Sequence, residues 1–393
     1  MTDAMTSEDV RRHNLGLVMA ALARQPLSRS ELADTTGLVR GSITSLSAEL
    51  LAAGLIREAD VIAPAGRGRP RTLLEIAADE VATVTAMLDA EHAVVAVSTL
   101  GGDDLLRIGR SHGGPSVPAA EVLDTLAAVI DEALDAAGGL GRTLIDLAVV
   151  VWAPVAGDPP VVLAGNDFAW PQTDVPALLG ERIPRLAGRP LGLVSNTAAA
   201  ARAEHVAAGA PSEFVHLSAD PDLDGVIFAG GEPLPAAARF GGLGHLPAVP
   251  DGDPCTCGGR GCLLTVAGPD ALLAAAGLAA RAESEGTDAA WEAFVAATAA
   301  GEPRARQAWE RACTHLVRAV QTVAMTTGTT EVVLGGCLAS FTDDVTAELV
   351  REFEARRSGV PAPHVRGSEL GADAALRGAE WAARARVIDL LLG

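Results

Sequence analysis

The stretch Gly244–Cys262 reads GHLPAVPDGDPCTCGGRGC and carries the most specific pattern in the chain. His245, Cys255, Cys257 and Cys262 supply one imidazole and three thiols, which are the donors of a closed tetrahedral zinc site. The glycines between the cysteines would let the loop wrap tightly around an ion. Because the protein would fill all four positions, the zinc is expected to be structural. The alternatives are a disulfide or thiols without a shared role.

On both sides of this loop, the body from residue 79 to 393 alternates strand and helix patterns. Strands are predicted at 82–88, 93–100, 105–112, 147–151, 191–195, 214–218, 225–229 and 331–334. Helices are predicted at 118–137, from 197, through much of 268–327, and at about 342–357 and 371–386. The continuous apolar run at 147–151 is typical of a strand buried on both faces. The body is therefore predicted to be mixed α/β, in two lobes.

The first 78 residues follow a different pattern, which predicts three short helices and a β-hairpin. The first helix is expected at 14–24. Ser28 and Glu31 form a capping box for the second helix, and Gly37 ends it. The third helix is expected at about 39–53, with strands beginning at 55 and 71. Its buried residues are expected to be Ile43, Leu46, Leu50 and Leu51. This order predicts a winged helix-turn-helix.

The polar groups of this head are suited to a DNA contact. Near the start of the third helix, the residues expected to face solvent are Arg40, Ser42, Thr44 and Ser45. In the major groove, the Arg40 guanidinium could bond guanine O6 and N7 together, while the hydroxyls bond phosphate. The connection 63–71 would form a wing whose Arg67 and Arg69 enter the minor groove. The alternative is a protein-binding or purely structural module.

The charge distribution supports a localised contact with nucleic acid. The 393-residue chain has a net charge of −20. Between residues 11 and 71, however, nine arginines face five acids, so this stretch has a net charge of +4 and the remainder −24. Neither a signal peptide nor an apolar run long enough to span a membrane is visible. A cytoplasmic protein without a membrane partner is expected.

Several motifs together resemble those of the ROK family (repressors, open reading frames, sugar kinases), in its NagC/XylR-like repressor branch. They are the Gly-Arg-Pro that ends the wing, the Gly-His and cysteine motif, and the stretches 195–204, 332–336 and 371–379. The resemblance implies an N-terminal winged helix-turn-helix followed by a two-lobed, actin-like ATPase (ribonuclease H-like) body. It also implies a structural zinc, and dimers or tetramers. The expected domains are the DNA-binding head at 1–78, a small lobe at 79–196 completed by 371–393, and a large lobe with the zinc loop at 197–370.

The chain departs from the kinases of this family at three places. The first phosphate loop corresponds to 87–92 and has lost its glycines. The second corresponds to 219–224, where Pro221 has no amide to donate and three aspartates would repel ATP. The resemblance places the general base of the kinases at Thr197, which cannot take a proton from a sugar hydroxyl at neutral pH.

The sugar contacts implied by the resemblance are also reduced. They fall on Asn196, Thr197, Gly242, His245 and Leu264, so an amide and an imidazole remain and every carboxylate is replaced. An effector is therefore expected near Asn196 and His245, and it should be less polar than a free sugar. The alternatives are that the pocket is vestigial, or that Asn196 serves only as a helix N-cap.

These observations together predict a DNA-binding transcriptional repressor that is not an enzyme, with an effector-sensing or dimerising body. Its expected partners are double-stranded operator DNA, a small carbohydrate-related effector, and copies of itself in a homodimer or homotetramer. Structural zinc is the expected cofactor. Two other classes stay open: a divergent ROK carbohydrate kinase, and a scaffold that uses its head for protein contacts.

Overall fold

The structure is a computed structural model of the chain. It describes residues 7–22, 25–62, 71–77, 81–89, 91–100, 103–114, 117–164, 170–186, 191–206, 208–219, 222–234, 242–356 and 359–392. Within these ranges the strands form two five-stranded sheets, one three-stranded sheet and a two-stranded ribbon. The mixed α/β architecture predicted from the sequence is confirmed. None of the described helices is both long enough and apolar enough to cross a membrane.

The N-terminal elements form a three-helix module with a small sheet. They are α1 (Ser7–Leu22), β1 (Leu27–Ser28), α2 (Arg29–Thr36), α3 (Arg40–Ala52), β2 (Ile56–Ile62) and β3 (Arg71–Ile76), and the strand order is β1-β3-β2. The capping box of Ser28 and Glu31 is present, and Gly37 ends α2 with a φ of 71°. This is the winged-helix fold that the sequence predicted.

Three details of the head differ from the prediction. Helix α1 begins at Ser7 rather than at 14, because no glycine or proline interrupts the polar segment before its apolar face starts. The two-residue strand β1, which pairs with β3 at Leu27 and Leu74, is too short to leave a sequence pattern. Leu51, which was expected in the core, is only partly buried. The fourteen core residues include Leu15, Leu32, Ile43 and Leu50.

The first body sheet has strand order β10-β7-β4-β5-β6. Its strands are β4 (Val81–Leu88), β5 (His92–Thr99), β6 (Asp104–Ser111), β7 (Thr143–Val151) and β10 (Leu191–Ser195). The pairs β4–β7 and β7–β10 are parallel, whereas β4–β5 and β5–β6 are antiparallel. One face packs on α4 (Ala119–Gly139) and α5 (Val175–Arg182). The ribbon of β8 (Val155–Ala156) and β9 (Val161–Val162) lies between β7 and α5 in the chain.

The second body sheet has strand order β13-β12-β11-β14-β15. Its strands are β11 (Phe214–Ala219), β12 (Leu223–Ala229), β13 (Glu232–Pro233), β14 (Glu331–Gly336) and β15 (His364–Gly367). The helices on its outer side are α7 (Leu264–Ala267), α8 (Pro269–Ala276), α9 (Ala279–Glu285), α10 (Thr287–Ala299), α11 (Pro303–Thr327) and α12 (Thr342–Glu354). Trp309 and Phe341 stack in this core, with ring centroids 3.9 Å apart.

Two helices lie between the two body sheets. Helix α6 (Asn196–Val206) continues directly from β10 and packs along α13 (Ala374–Leu392). Together they cover the second face of β7 through Ala148 and Val150, so that strand is buried on both faces as predicted. Val387 of α13 also contacts Leu100 and, from the head, Ile76. The N-terminal end of α6 therefore lies where the two sheets face each other, and α13 links this region to the head.

Candidate functional site

The predicted zinc ligands come together in one cluster. The ligand atoms of His245, Cys255, Cys257 and Cys262 all lie within 4.8 Å of one another. His245 Nδ1 is 3.4 Å from Cys255 Sγ, and the sulfurs of Cys257 and Cys262 are 3.7 Å apart. Zinc–sulfur bonds of about 2.3 Å in a tetrahedron place the sulfurs about 3.8 Å apart. The donor set and its spacing therefore fit a four-coordinate metal such as zinc.

The loop around this cluster depends on two glycines that allow close backbone approach. A Cβ at Gly244 would overlap the backbone oxygen of Leu223, so the glycine lets the chain pass against β12 just before His245. A Cβ at Gly261 would overlap the oxygen of Val249, and Gly261 has a φ of 67°. Both positions are required by geometry, which explains why glycines lie beside two of the four ligands.

A cavity of about 410 Å³ lies at the start of α6. Its lining includes Pro154, Val155, Ala156, Asp158, Pro160, Leu193, Ser195, Thr197, Arg202, Asp224, Glu232, Pro233, Leu234 and Gly242. Thr197 and Gly242 are thus in the cleft, as the resemblance implied. Asn196 and His245, the expected effector contacts, are not among the lining residues of this cavity. Asn196 faces a smaller neighbouring space, and the Nδ1 of His245 faces the thiol of Cys255.

The carboxylate of Asp224, which the family resemblance places in the second phosphate loop, lies in this cavity. Asp224 Oδ2 accepts a hydrogen bond of 3.0 Å from Thr197 Oγ1, and its Oδ1 accepts one of 2.6 Å from the amide of Gly225. The carboxylates that the family resemblance implies at Thr197, Gly242 and Leu264 are absent from the sequence, and Asp224 supplies a different carboxylate to this cavity. Asp224 is the second residue of β12 rather than part of a phosphate loop, and it lies on the same strand face as Val226 and Phe228, towards α6.

In the turn that corresponds to the first phosphate loop, two backbone amides donate to a side chain of the same turn. Asp89 Oδ1 accepts hydrogen bonds from the amides of Glu91, at 2.8 Å, and His92, at 2.7 Å. The ring of His112 bonds the backbone oxygen of Asp89 at 3.0 Å. These amides are directed at a side chain of the protein, so they are not arranged to receive a phosphate.

The smaller space is about 30 Å³ and is lined by groups from both sheets, including Met87, Trp152, Asn196, His216 and Gly335. His216 is fully buried, and neither ring nitrogen has a hydrogen-bond partner within the described part of the chain. Burial, together with the nearby positive charge of Arg366, lowers the pKa of His216 to about 3. No sequence pattern singles out this histidine, which lies in the largely apolar strand β11.

The proposed DNA-contacting residues lie at the start of α3. Arg40 is the first residue of the helix and is exposed, as are Thr44 and Ser45, while Ser42 is half-buried. Thr44 Oγ1 donates a 2.9 Å hydrogen bond to the backbone oxygen of Arg40. Arg67 and Arg69 of the expected wing lie outside the described residues.

Comparisons with known proteins agree with this architecture. The model of the ROK family matches residues 88–386. The solved structure of a ROK family transcriptional regulator, a homologue of the Escherichia coli MLC protein, has a TM-score of 0.73 at 24% identity and covers 98% of both chains. A ROK family glucokinase from Streptomyces griseus has a TM-score of 0.60 at 21% identity, covering 77% of this chain and 99% of its own.

Among curated proteins, the chain is similar to sugar kinases. An N-acetylmannosamine kinase from Citrobacter koseri is 30% identical over 198 residues, which are 49% of this chain and 65% of that kinase. A counterpart from Escherichia coli O139:H28 is 29% identical over 160 residues, or 40% of this chain and 53% of the kinase. The chain thus matches between half and two thirds of the length of these relatives.

Proposed function

The chain belongs to the ROK family, and we propose that it is a DNA-binding transcriptional repressor without kinase activity. The observation that carries this proposal is the winged-helix head, whose third helix begins with the exposed Arg40. The similarity to a regulator over 98% of both chains, head included, supports it. A helix of this kind reads base edges in the major groove, with Arg40 as the base-reading group and the nearby hydroxyls on phosphate.

Three features of the body argue against phosphoryl transfer. Thr197 occupies the position that the family resemblance gives to the general base, and a hydroxyl is not a base at neutral pH. The amides of Glu91 and His92 are bonded to Asp89 rather than exposed to a phosphate. The stretch 219–224, where the resemblance places the second phosphate loop, contains Pro221, which has no amide to donate to a phosphate. The three features concern the general base and the two phosphate loops, so each affects a different requirement of phosphoryl transfer.

In this proposal the metal has a structural role. His245, Cys255, Cys257 and Cys262 would hold zinc through four protein donors, so the ion would fix the loop after β13 without binding water. The zinc loop leads into α7 and the large core, so its effect would be on the stability of the body.

Assembly and effector control complete the proposal. One chain supplies one recognition helix, so a homodimer or homotetramer would bind a palindromic operator. A small effector in the cleft at the start of α6 would change the relative position of the two lobes and, through α13, that of the heads. The predicted effector contacts Asn196 and His245 remain predictions.

A second candidate function is that of a divergent carbohydrate kinase. The similarity to N-acetylmannosamine kinases at up to 30% identity favours it, as does the carboxylate of Asp224 beside Thr197. A third candidate is a scaffold protein whose head binds another protein. None of the contacts among the described residues supports it.

Two assays on the full-length protein separate the first two candidates. A gel shift with the DNA upstream of the protein's own coding sequence should show specific binding that weakens with salt. A coupled assay of ADP release, with ATP and glucose, mannose or N-acetylmannosamine, should show no turnover. Turnover without DNA binding would contradict the repressor proposal and support the kinase.

A further inference from the structure

The start of α3 carries an exposed apolar side chain at a position where a helix usually has a polar cap. We propose that Val39 contacts the C5-methyl group of a thymine in the major groove, next to the base pair that Arg40 reads. Val39 would thereby determine part of the operator sequence. The inference rests on the proposed function, because it takes α3 to be the recognition helix, and it adds a named base and the residue that selects it.

Val39 is directed away from the head. At 72% exposure, it is more exposed than any other large apolar side chain in the described part of the chain. Its neighbour Leu38 packs against the core of the head. The backbone at Val39 is extended, with a φ of −66° and a ψ of 146°, so successive side chains point to opposite sides. The side chain of Val39 is therefore available to a partner.

Val39 occupies the N-cap position of α3, where an apolar side chain is unfavourable. Serine, threonine, aspartate and asparagine stabilise this position by accepting a hydrogen bond from the first turn, which valine cannot do. No side-chain hydrogen bond caps α3 at Val39, whereas α2 has the complete capping box of Ser28 and Glu31. Val39 thus lowers helix stability without being buried. A residue that breaks a local rule in this way is expected to serve binding.

A second residue of the same turn also weakens the helix. Gly41 is exposed and helical, so its backbone conformation does not require glycine, and glycine lowers helix stability relative to alanine. A Cβ at Gly41 would meet no atom within 4 Å, so packing within the protein does not require glycine either. The missing side chain leaves room beside Val39 and Arg40 for another molecule to approach the backbone closely.

The charges of α3 favour DNA as that molecule. Its first turn contains Arg40 and no acidic residue. Glu49, the single acidic residue of the helix, accepts a hydrogen bond from Arg11 of α1, with Arg11 Nε 3.3 Å from Glu49 Oε2. A phosphate backbone that approaches the start of α3 would therefore meet a cation first, and the one carboxylate of the helix is already paired.

Among the DNA bases, thymine is the one that suits an exposed valine. It alone presents a methyl group in the major groove, where apolar side chains contact it. In helix-turn-helix proteins, the N-terminal residues of the recognition helix reach the base edges. Because Val39 and Arg40 are consecutive, the thymine is expected in the base pair next to the guanine that Arg40 contacts.

Replacing thymine by uracil removes only this methyl group and so tests the contact directly. Fluorescence anisotropy on the full-length protein would compare upstream DNA synthesised with thymine and with uracil throughout. Wild type should bind the uracil duplex about fourfold more weakly for each methyl contact, as expected for one buried carbon. Val39→Ala should bind both duplexes equally. The matched control Val10→Ala, at an exposed valine of α1, should keep the wild-type preference.

Single replacements would then locate the contact. One thymine in each half-site, next to a G·C pair, should account for the effect of full replacement. Equal binding of both duplexes by wild type, or a preference for thymine that Val39→Ala retains, would contradict the inference and leave the repressor proposal intact. If wild type binds the upstream DNA no better than unrelated DNA, the repressor proposal itself fails.

Two further variants separate DNA binding from stability. Val39→Ser supplies the missing cap and Gly41→Ala a better helix former, so both should raise the melting temperature of the head. Both should also bind the upstream DNA more weakly, because the first loses the apolar contact and the second obstructs the close approach. The control Gly16→Ala in α1, where a Cβ also meets nothing within 4 Å, should gain stability without losing DNA binding. A less stable Val39→Ser protein, or wild-type DNA binding by Gly41→Ala, would contradict the proposal.

Discussion

Gly378 of α13 lies directly against the backbone of Ala199 of α6, so that a Cβ at 378 would overlap the backbone oxygen of Ala199. The two helices pack through small residues on both sides, including Ala200, Ala375 and Ala379. This close crossing holds the helix that begins at the cleft against the helix that reaches the head.

Gly378→Ala should therefore destabilise the body even though alanine is the better helix former. Forcing a methyl into a packed crossing costs about 1–3 kcal/mol, more than the roughly 1 kcal/mol gained in helix propensity. Chemical unfolding would measure the change. Gly138→Ala is the matched control, because a Cβ at that helical position meets nothing within 4 Å; it should be neutral or stabilising. Equal effects of the two substitutions would mean that the crossing is not as tight as described.

The metal centre gives the second prediction. Freshly purified, reduced protein should contain about one zinc per chain by elemental analysis, and Cys257→Ser should lower both the zinc content and the melting temperature of the body. The control is Cys337→Ser, at a cysteine outside the cluster, which should keep its zinc. DNA binding by the head should respond only indirectly. Protein without metal, with wild-type stability after chelation, would refute the assignment.

His216 gives a prediction about pH. Its folded pKa of about 3 lies below the ordinary value of 6.5, because burial and Arg366 oppose its protonation. The free energy of unfolding is therefore unaffected by this group above pH 6.5 and decreases as the pH falls from 6.5 towards 3, since only the unfolded chain takes up the proton. Between pH 7 and pH 5 this amounts to roughly 2 kcal/mol in the free energy of unfolding.

Denaturant unfolding at the two pH values would measure this effect. His216→Asn removes the titrating group, so its stability should fall less between pH 7 and pH 5 than that of wild type. His315→Asn, at a half-buried histidine of α11, is the matched control substitution. If His216→Asn and wild type lose the same free energy, His216 is not the source of the effect.

Restoring a carboxylate at position 197 should not create a kinase. In Thr197→Asp the new group would lie beside Asp224, and two neighbouring carboxylates raise the pKa of one of them. The amides of the first phosphate turn would still be bonded to Asp89. ADP release with ATP and several hexoses should stay at background, as it should for the control Thr197→Ser. Robust turnover by Thr197→Asp would mean that the cleft still binds nucleotide productively.

Much of the fold was predictable because local signals agreed with each other. Strand β10 has the predicted bounds, since a proline precedes its apolar run and Asn196 starts the next helix. The capping box at Ser28 and the glycine at 37 fixed the bounds of α2. The four metal donors were identified because cysteine and histidine at short spacing are rare without a shared role.

The parts that could not be predicted depend on which face a residue takes and on contacts between distant segments. Asp224 was assigned to a loop because the start of β12 was placed at 225 rather than at Leu223. The alternation Asp224, Val226, Phe228 was the available signal, but the face towards α6 is defined only by tertiary packing. The position of His216 between two lobes likewise depends on how the sheets meet, which no local pattern encodes.

The central claim is that the head binds operator DNA, and the salt dependence of binding tests it most directly. Fluorescence anisotropy would compare labelled upstream DNA with unrelated DNA of equal length, for wild type, Arg40→Ala and the body control Arg318→Ala. Wild type should prefer the upstream DNA, and the logarithm of its binding constant should fall linearly with that of salt. Arg40→Ala should lose about 1–3 kcal/mol of specific binding, and Arg318→Ala none. Equal, weak binding of both DNAs by all three proteins would contradict the claim.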